Sequence, residues 1–270
     1  MTLPALFAAA LALGAALPAT AAAGGCSRPM AVPVSADGAS VVLTSDGIHG
    51  IYPDVLRGIA DKAGCQFDFS LVPRARQVAL YALGRADVFI PAAQTGERDR
   101  YGVFVPLIST RPMLISIEGN HTRITSAREL LAQRDLRVAV VRGFDYGDGY
   151  TALTAELARQ KRLLVEVDVT SVARLLHAGA ADIAIMAPST LVGLARREPR
   201  VQGLLERLRS DAIAELPWRT SGAYISRALS QEDQQVLVDA LEKAARTSAV
   251  VDGYVHYFGP DLLKGGIRPR

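Results

Sequence analysis

The side chains best suited to binding chemistry in this sequence are arginines, and Arg98 is the strongest candidate. It ends a polar turn, residues 95–98, that follows a predicted buried strand. A guanidinium is a planar fork of donors, which matches the two oxygens of a carboxylate. We therefore predict that Arg98 binds a carboxylate, with Thr95 beside it. The alternative is a surface ion pair of Arg98 with Glu97 or Asp99.

Three further arginines stand at the ends of predicted elements. Arg74 and Arg76 begin a helix, and Arg142 directly follows a strand. Each could line a binding cleft or stay solvated on the surface, and the residues alone leave both possibilities open. Two aromatic residues, Tyr52 and Phe144, could form an apolar wall of the same cleft or simply pack in the core.

A glycine-rich stretch, residues 142–149, opens a predicted helix and contains Gly143 and Asp145 near its start. Backbone N–H groups at a helix N-terminus bind anions well. The alternative is a tight turn that leads into the helix without a ligand. The stretch does not match the glycine spacing of a nucleotide-binding loop.

Several function classes find no support in the sequence. The four histidines are scattered, so no cluster has the spacing of metal ligands, and we predict neither a metal nor a cofactor. The formal net charge is only +3, and no Lys/Arg block is interleaved with aromatic residues. We therefore predict a small-molecule solute as the partner and no nucleic acid.

Strand and helix patterns alternate along the chain, which predicts an α/β fold with mostly parallel sheets. One helix–glycine–strand layout occurs twice, at residues 84–90 and 179–185, with Thr95 and Thr190 at the same distance beyond. We interpret the repeat as two similar lobes that face one cleft. The alternative is chance, because Gly-x-Ala-Asp before a strand is a common turn. In α/β sheets ligands bind beyond the carboxyl ends of strands, which is where residues 95–98 stand.

The N-terminus has the pattern of a secretory signal peptide. Residues 3–17 are apolar and uncharged, and small residues follow, so we predict cleavage near residues 21–23 and a periplasmic product. Two cysteines in an exported chain favour one disulfide, Cys26–Cys65, tying the new N-terminus to the end of the first helix. The alternative is a lipid anchor on Cys26, although residues 23–25 lack the large aliphatic residue usual at such sites.

Short motifs along nearly the whole predicted mature chain resemble those of the extracellular solute-binding proteins of family 3, which serve ABC importers of polar amino acids. The motifs are Gly50-Ile-Tyr-Pro-Asp54-Val-Leu, Leu83-Gly-Arg-Ala-Asp87, Thr95-Gly-Glu-Arg98, Val140-Val-Arg-Gly143 and Gly179-Ala-Ala-Asp182. The resemblance implies the two-lobe type II periplasmic-binding-protein fold, the "Venus flytrap". It also implies that Arg98, with Thr95, binds the ligand's α-carboxylate and that residues 143–145 supply backbone donors.

The expected organisation is a signal peptide at 1–23, a first lobe at 24–116 plus 222–270, and an inserted second lobe at 117–221. The chain departs from the family pattern in two places. Residues 91–93 lack the usual hydroxyl groups, and the acid that receives the α-ammonium is replaced around Ala187. The ligand is then either a carboxylate without an α-amino group, or one whose amino group meets Asp145 or Asp148.

The function that the resemblance implies is capture of a small carboxylate-bearing solute, an amino acid or related organic anion, by a monomer that delivers it to an ABC permease. It implies no catalysis. Two alternatives stay open. One is an enzyme on the same fold that resembles cyclohexadienyl dehydratases, with Glu97 and Asp54 as available acids. The other is a ligand-sensing module for a signalling partner such as a histidine kinase.

Overall fold

The computed structural model describes residues 25–258 and 266–270 of the 270-residue chain. The predicted signal peptide lies outside the described residues. Within the described ranges, no helix is both long and apolar enough to cross a bilayer.

The elements fall into two groups, which we call the first and second lobes. The first lobe begins with β1 (Met30–Val34), β2 (Val42–Thr44), β3 (Gly47–His49), α1 (Ile51–Ala63), β4 (Phe67–Leu71), α2 (Arg74–Ala82), β5 (Val88–Ala93), α3 (Gly96–Asp99) and β6 (Gly102–Thr110). The second lobe contains β7 (Met113–Ile117), α4 (Ala127–Ala132), β8 (Val138–Val141), α5 (Asp148–Arg159), β9 (Leu163–Glu166), α6 (Val169–His177), β10 (Ile183–Met186), α7 (Pro188–Ala195), a 3₁₀ helix (Pro199–Leu204) and β11 (Leu208–Asp211). The chain then returns to the first lobe as β12 (Arg219–Ser226), α8 (Gln231–Ala245), α9 (Ala249–Phe258) and β13 (Ile267–Arg268).

Each lobe is built on its own sheet, with helices packed on it. In the first lobe β4 pairs with β1, and a four-stranded sheet has the order β13-β6-β12-β5. The buried amide of Gln77 on α2 joins the two parts, because its Nε2 donates to Pro33 O of β1 and to Ile90 O of β5. The second lobe has a five-stranded sheet with the order β11-β7-β10-β8-β9. The α/β two-lobe fold is thus confirmed.

The expectation of mostly parallel sheets needs a correction. Parallel pairing joins β1 to β4, with Met30 opposite Phe67, and joins β10 to β8 and β8 to β9. The strands at the passages between lobes pair antiparallel: β12 with β5 and β6, and β7 with β10 and β11. The chain leaves the first lobe along β6 and returns to it along β12, so these two neighbours run in opposite directions.

The repeated helix–glycine–strand layout has the same role in both lobes. Gly84 and Gly179 both adopt left-handed backbone, with φ of 67° and 63°. In the first lobe the Asp87 carboxylate accepts a hydrogen bond from Ala31 N of β1 at 2.7 Å. In the second lobe the Asp182 carboxylate accepts one from Arg137 N, directly before β8, also at 2.7 Å. Each aspartate therefore ties the turn after its glycine to the neighbouring strand, so the repeated layout has the same structural role in both lobes.

Two passages connect the lobes, at residues 111–112 and 212–218. The Arg111 guanidinium on the first passage donates to Ile213 O at 3.0 Å and Leu216 O at 3.1 Å on the second. The sequence-based lobe boundaries, at 116/117 and 221/222, fall inside β7 and β12. Strand pairing places the changes of sheet a few residues earlier, because β7 pairs wholly within the second lobe and β12 within the first.

The predicted disulfide between Cys26 and Cys65 is present. It joins the start of the described chain to the end of α1, where Gly64 ends the helix in left-handed conformation with φ of 63°. Cys26 N also donates to Gly64 O at 3.1 Å. A thiol at Cys26 is therefore not free for a lipid, and the disulfide interpretation is confirmed.

Candidate functional site

A cavity of about 60 Å³ lies between the two lobes, at the carboxyl ends of strands from both sheets. The first lobe contributes Asp37, Tyr52 and Arg74 to its lining, and the second contributes Phe144 and Thr190. A larger groove, of about 1010 Å³, lies on the first lobe between α1, α8 and α9. We place the candidate site in the smaller cavity, because it contains charged groups that are withdrawn from solvent.

Arg74 is the arginine that lines this cavity. It is the first residue of α2 and is only 6% exposed. Its Nη1 donates to Gln77 Oε1 at 2.7 Å and to Pro91 O at 3.0 Å, and its guanidinium carbon lies 4.7 Å from the Phe89 ring centre. Its buried Nε has no hydrogen-bond partner among the described residues. A fixed guanidinium with an unused donor is suited to binding an anion.

The charge of Arg74 persists at neutral pH despite its burial. Desolvation first, and the neighbouring Arg98 second, lower the pKa of Arg74 to about 10, while Asp37, Tyr146 and Asp145 oppose the shift. The group is thus a buried cation over the physiological range. Such a charge is expensive to hold without a compensating anion.

Arg98 is also buried, but it does not line the cavity. Its Nη1 donates to Ala93 O at 2.8 Å, and its guanidinium carbon lies 5.2 Å from the Phe89 ring centre. Thr95 caps the short helix α3 by accepting from Arg98 N at 3.4 Å. Burial lowers the pKa of Arg98, while Asp145 is the largest opposing influence. The structure thus places Arg98 behind Ala93, one residue away from the cavity surface.

The remaining sequence-predicted residues divide into two groups. Tyr52 and Phe144 line the cavity with their aromatic rings, and Asp145 lines it with an acidic group. Arg76 and Arg142 are exposed and do not line it. Arg76 lies two residues beyond Arg74 on the same helix, so its side chain points away from the face that Arg74 presents.

Gly143 brings the glycine-rich loop of the second lobe against the first lobe. Its φ is 87°, and a Cβ placed on it would lie 3.0 Å from the Ala75 backbone. The Asp145 carboxylate Oδ1 accepts from Gly147 N at 2.7 Å and so closes its own loop. Asp148 is exposed at the start of α5.

Asp37 is the charged site residue that sequence reasoning missed, along with uncharged lining residues such as Tyr146 and Tyr254. It follows β1, its Oδ1 is buried, and no described residue offers that oxygen a hydrogen bond. Burial raises the pKa of Asp37, while the charge of Arg74 and a contact with Thr190 oppose the rise. As a whole residue Asp37 is half-buried, although its Oδ1 is fully buried. In the sequence the Asp37-Gly38 pair looks like an ordinary turn. The signal that could have identified Asp37 as a binding residue was its position beyond the carboxyl end of a predicted strand.

The two lobes touch closely around the cavity. A Cβ placed on Gly38 would lie 2.4 Å from Thr190 O, and a Cβ on Gly193 of α7 would lie 2.6 Å from Ala39 N. No side chain fits at this seam, so the structure shows the lobes in a closed arrangement.

The fold resembles several solved structures. A mutant of ArgBP from T. maritima has a TM-score of 0.67 at 16% identity, covering 85% of this chain and 94% of that one. A histidine kinase sensor domain with similarity to periplasmic binding proteins has a TM-score of 0.67 at 19% identity, covering 86% and 96%. The ancestral amino acid-binding protein AncCDT-1, a precursor of cyclohexadienyl dehydratase, has a TM-score of 0.67 at 16% identity, covering 85% and 95%.

No protein-family model and no curated protein sequence matches the chain. The structural likeness establishes the two-lobe periplasmic-binding-protein fold. At these identities the fold leaves the ligand to be argued from the chemistry of the cleft.

Proposed function

We propose that this chain, which has the two-lobe periplasmic-binding-protein fold, captures a small carboxylate-bearing solute in the periplasm and delivers it, as a monomer, to an ABC permease. The observation that carries the proposal is Arg74, a buried cation in the cavity between the lobes with an unused donor. The proposed solute is an amino acid or a related organic anion. We further propose membership of solute-binding family 3, on the motifs given above.

The electrostatics of the cleft support an anionic group on the solute. Arg74 is the cation that lines the cavity; the neighbouring Arg98 helps to lower its pKa, while the acids Asp37 and Asp145 oppose that shift. A carboxylate beside Arg74 would gain charge-assisted hydrogen bonds in a water-poor cavity, where they are strongest. Phe144 N already donates to Val141 O at 3.1 Å, so within residues 143–145 the backbone donors proposed for the solute are Gly143 N and Asp145 N.

The acids that an enzyme was expected to use lie elsewhere. Asp54 is exposed and pairs with Arg57 at 2.9 Å, and Glu97 is exposed near Arg100 at 3.8 Å. Neither lines the cavity. A general acid must reach the reacting atom, which counts against the dehydratase alternative with these residues. The sensor alternative shares the proposed binding step and differs only in the partner.

The proposal is tested on freshly purified protein by native mass spectrometry, followed by thermal shift with a panel of small carboxylates. We expect a co-purified solute or at least one carboxylate that raises the melting temperature. A panel in which matched alcohols and amines without a carboxylate stabilise the protein equally well would overturn it. Assay of prephenate turnover separates binding from catalysis.

Closure around the solute gives a further expected result, for Gly193→Ala. Alanine favours the helix by about 1 kcal/mol, so the second lobe should fold normally. Its Cβ, however, would strike the Ala39 backbone of the first lobe at 2.6 Å. We expect affinity to fall at least about tenfold, because affinity decreases with the fraction of protein that can close.

The matched control is Gly58→Ala, on the exposed face of α1, where a new Cβ meets nothing within 4 Å. Small-angle scattering should show that saturating solute shrinks the control and the wild type but not Gly193→Ala. Equal contraction in all three proteins would show that the seam is not part of the bound state.

A further inference from the structure

We propose that the solute held in this cleft also carries a primary ammonium group and that Asp37 of the first lobe receives it. The inference rests on the proposed function, because it assigns a second group of the same solute. It makes the solute a small zwitterion, with both charges recognised by the first lobe.

The first step is the unmet acceptor on Asp37. Its backbone is fixed in a turn, since Asp37 N donates to Val41 O at 3.1 Å and Asp37 O accepts from Ser40 N at 2.9 Å. The carboxylate Oδ1 is buried at the cavity and finds no donor in the described part of the chain. Buried carboxylates in proteins are paired or hydrogen-bonded, so a solute donor at this position would complete the site.

The second step is the separation of the two charges. Asp37 and Arg74 line one cavity, yet they form no ion pair within 4.0 Å of each other. Each group therefore keeps one buried polar atom without a hydrogen-bond partner among the described residues, Asp37 Oδ1 and Arg74 Nε, and both residues line the same cavity. An acid and a guanidinium held apart match a solute with a cationic group at one end and a carboxylate at the other.

The third step identifies the kind of cation. Asp37 lines the cavity together with Tyr52, Tyr146 and Tyr254. Burial raises the pKa values of the three phenols, and the charge of Asp37 adds to each rise. The Tyr52 and Tyr254 hydroxyls are 3.3 Å apart, and Ser40 Oγ lies 3.5 Å from the latter. A primary ammonium has three N–H donors for such oxygens, whereas a quaternary ammonium has none.

The fourth step concerns the other acids. Asp145 closes its own loop through Gly147 N, and Asp148 is exposed. The second-lobe position around Ala187 carries no acid. Asp37 takes the role that sequence reasoning assigned to Asp145 or Asp148. The small cavity, about 60 Å³, further favours a short skeleton between the two charges.

The test uses pairs of probes that differ only at the cationic group, measured by titration calorimetry. L-Alanine is compared with L-lactate, L-serine with L-glycerate, and glycine with its trimethylated form, glycine betaine. The proteins are wild type, Asp37→Asn and the exposed-acid control Asp54→Asn, each checked for folding by a thermal melt. We expect wild type and Asp54→Asn to prefer the ammonium member by at least about thirtyfold, as for removal of one partner of a buried charge pair.

Asp37→Asn should bring the members of each pair to within about threefold, mainly by weakening the ammonium member. Hydroxy acids or betaine that bind wild type as tightly as the amino compounds would overturn the inference and leave the carboxylate proposal standing. The same holds if Asp37→Asn keeps the wild-type preference. If neither these pairs nor any carboxylate of the wider panel binds, the proposed function fails as well.

Discussion

Arg74→Ala should weaken solute binding by at least about thirtyfold, while Arg76→Ala, two residues along the same helix, should leave affinity within about threefold of wild type. Arg74 is buried in the cavity and Arg76 is exposed outside it. Loss of one partner from a desolvated charge pair costs roughly 2–5 kcal/mol, and each 1.4 kcal/mol is about tenfold in affinity. Titration calorimetry with the stabilising carboxylate measures both variants.

Arg74→Lys sharpens the measurement, since a point charge cannot reproduce the guanidinium fork and should restore only part of the affinity. Arg98→Ala serves as a comparison, because it should affect folding stability as well as binding. Because Arg98 is buried behind the cavity and binds Ala93 O, its loss should lower the melting temperature as well as the affinity. Wild-type affinity in Arg74→Ala would show that this cation does not meet the solute.

The second large effect should follow loss of the disulfide in a Cys26→Ser, Cys65→Ser double variant. The two cysteines are 39 residues apart in sequence. In the chain-entropy model a loop of this length contributes about 4 kcal/mol, mostly by constraining the unfolded chain. For a protein of this size we expect the melting temperature to fall by roughly 10 °C.

A thermal melt with and without a thiol reductant supplies the control. Reductant should lower the melting temperature of wild type toward that of the double variant and leave the variant itself unchanged. Solute affinity should be nearly preserved at low temperature, because the disulfide lies at the end of α1, remote from the residues that line the cavity. A double variant that melts within about 2 °C of wild type would refute the stabilising role.

The sequence by itself determined the features that depend on local backbone preferences. Ser126 and Ser230 cap helices α4 and α8, and each hydroxyl accepts the backbone N–H of the residue three positions on, an arrangement set by local spacing. The left-handed glycines at 84 and 179 end helices in equivalent places in both lobes. These signals are legible because a cap or a turn is decided within four or five residues. The predicted export similarly favoured a disulfide over two free thiols for the two cysteines of the sequence.

Pairing between distant strands was decided only by the tertiary structure. The run of alternating elements predicted parallel sheets, yet β12 lies antiparallel between β5 and β6. The direction of a strand in a sheet depends on which lobe the chain enters it from, and a local pattern does not carry that information.

The charged site shows the same division most clearly. Helical spacing determines that Arg74 and Arg76 point in different directions, but only packing of α2 against β5 decides which of them faces the cavity. Likewise Asp37 looks like an ordinary turn residue until closure of the lobes buries its carboxyl beside Thr190. Burial, and with it the strength of a charge, is a property of long-range contacts, so the sequence could name candidate arginines while the fold selected the ones that meet in the cleft.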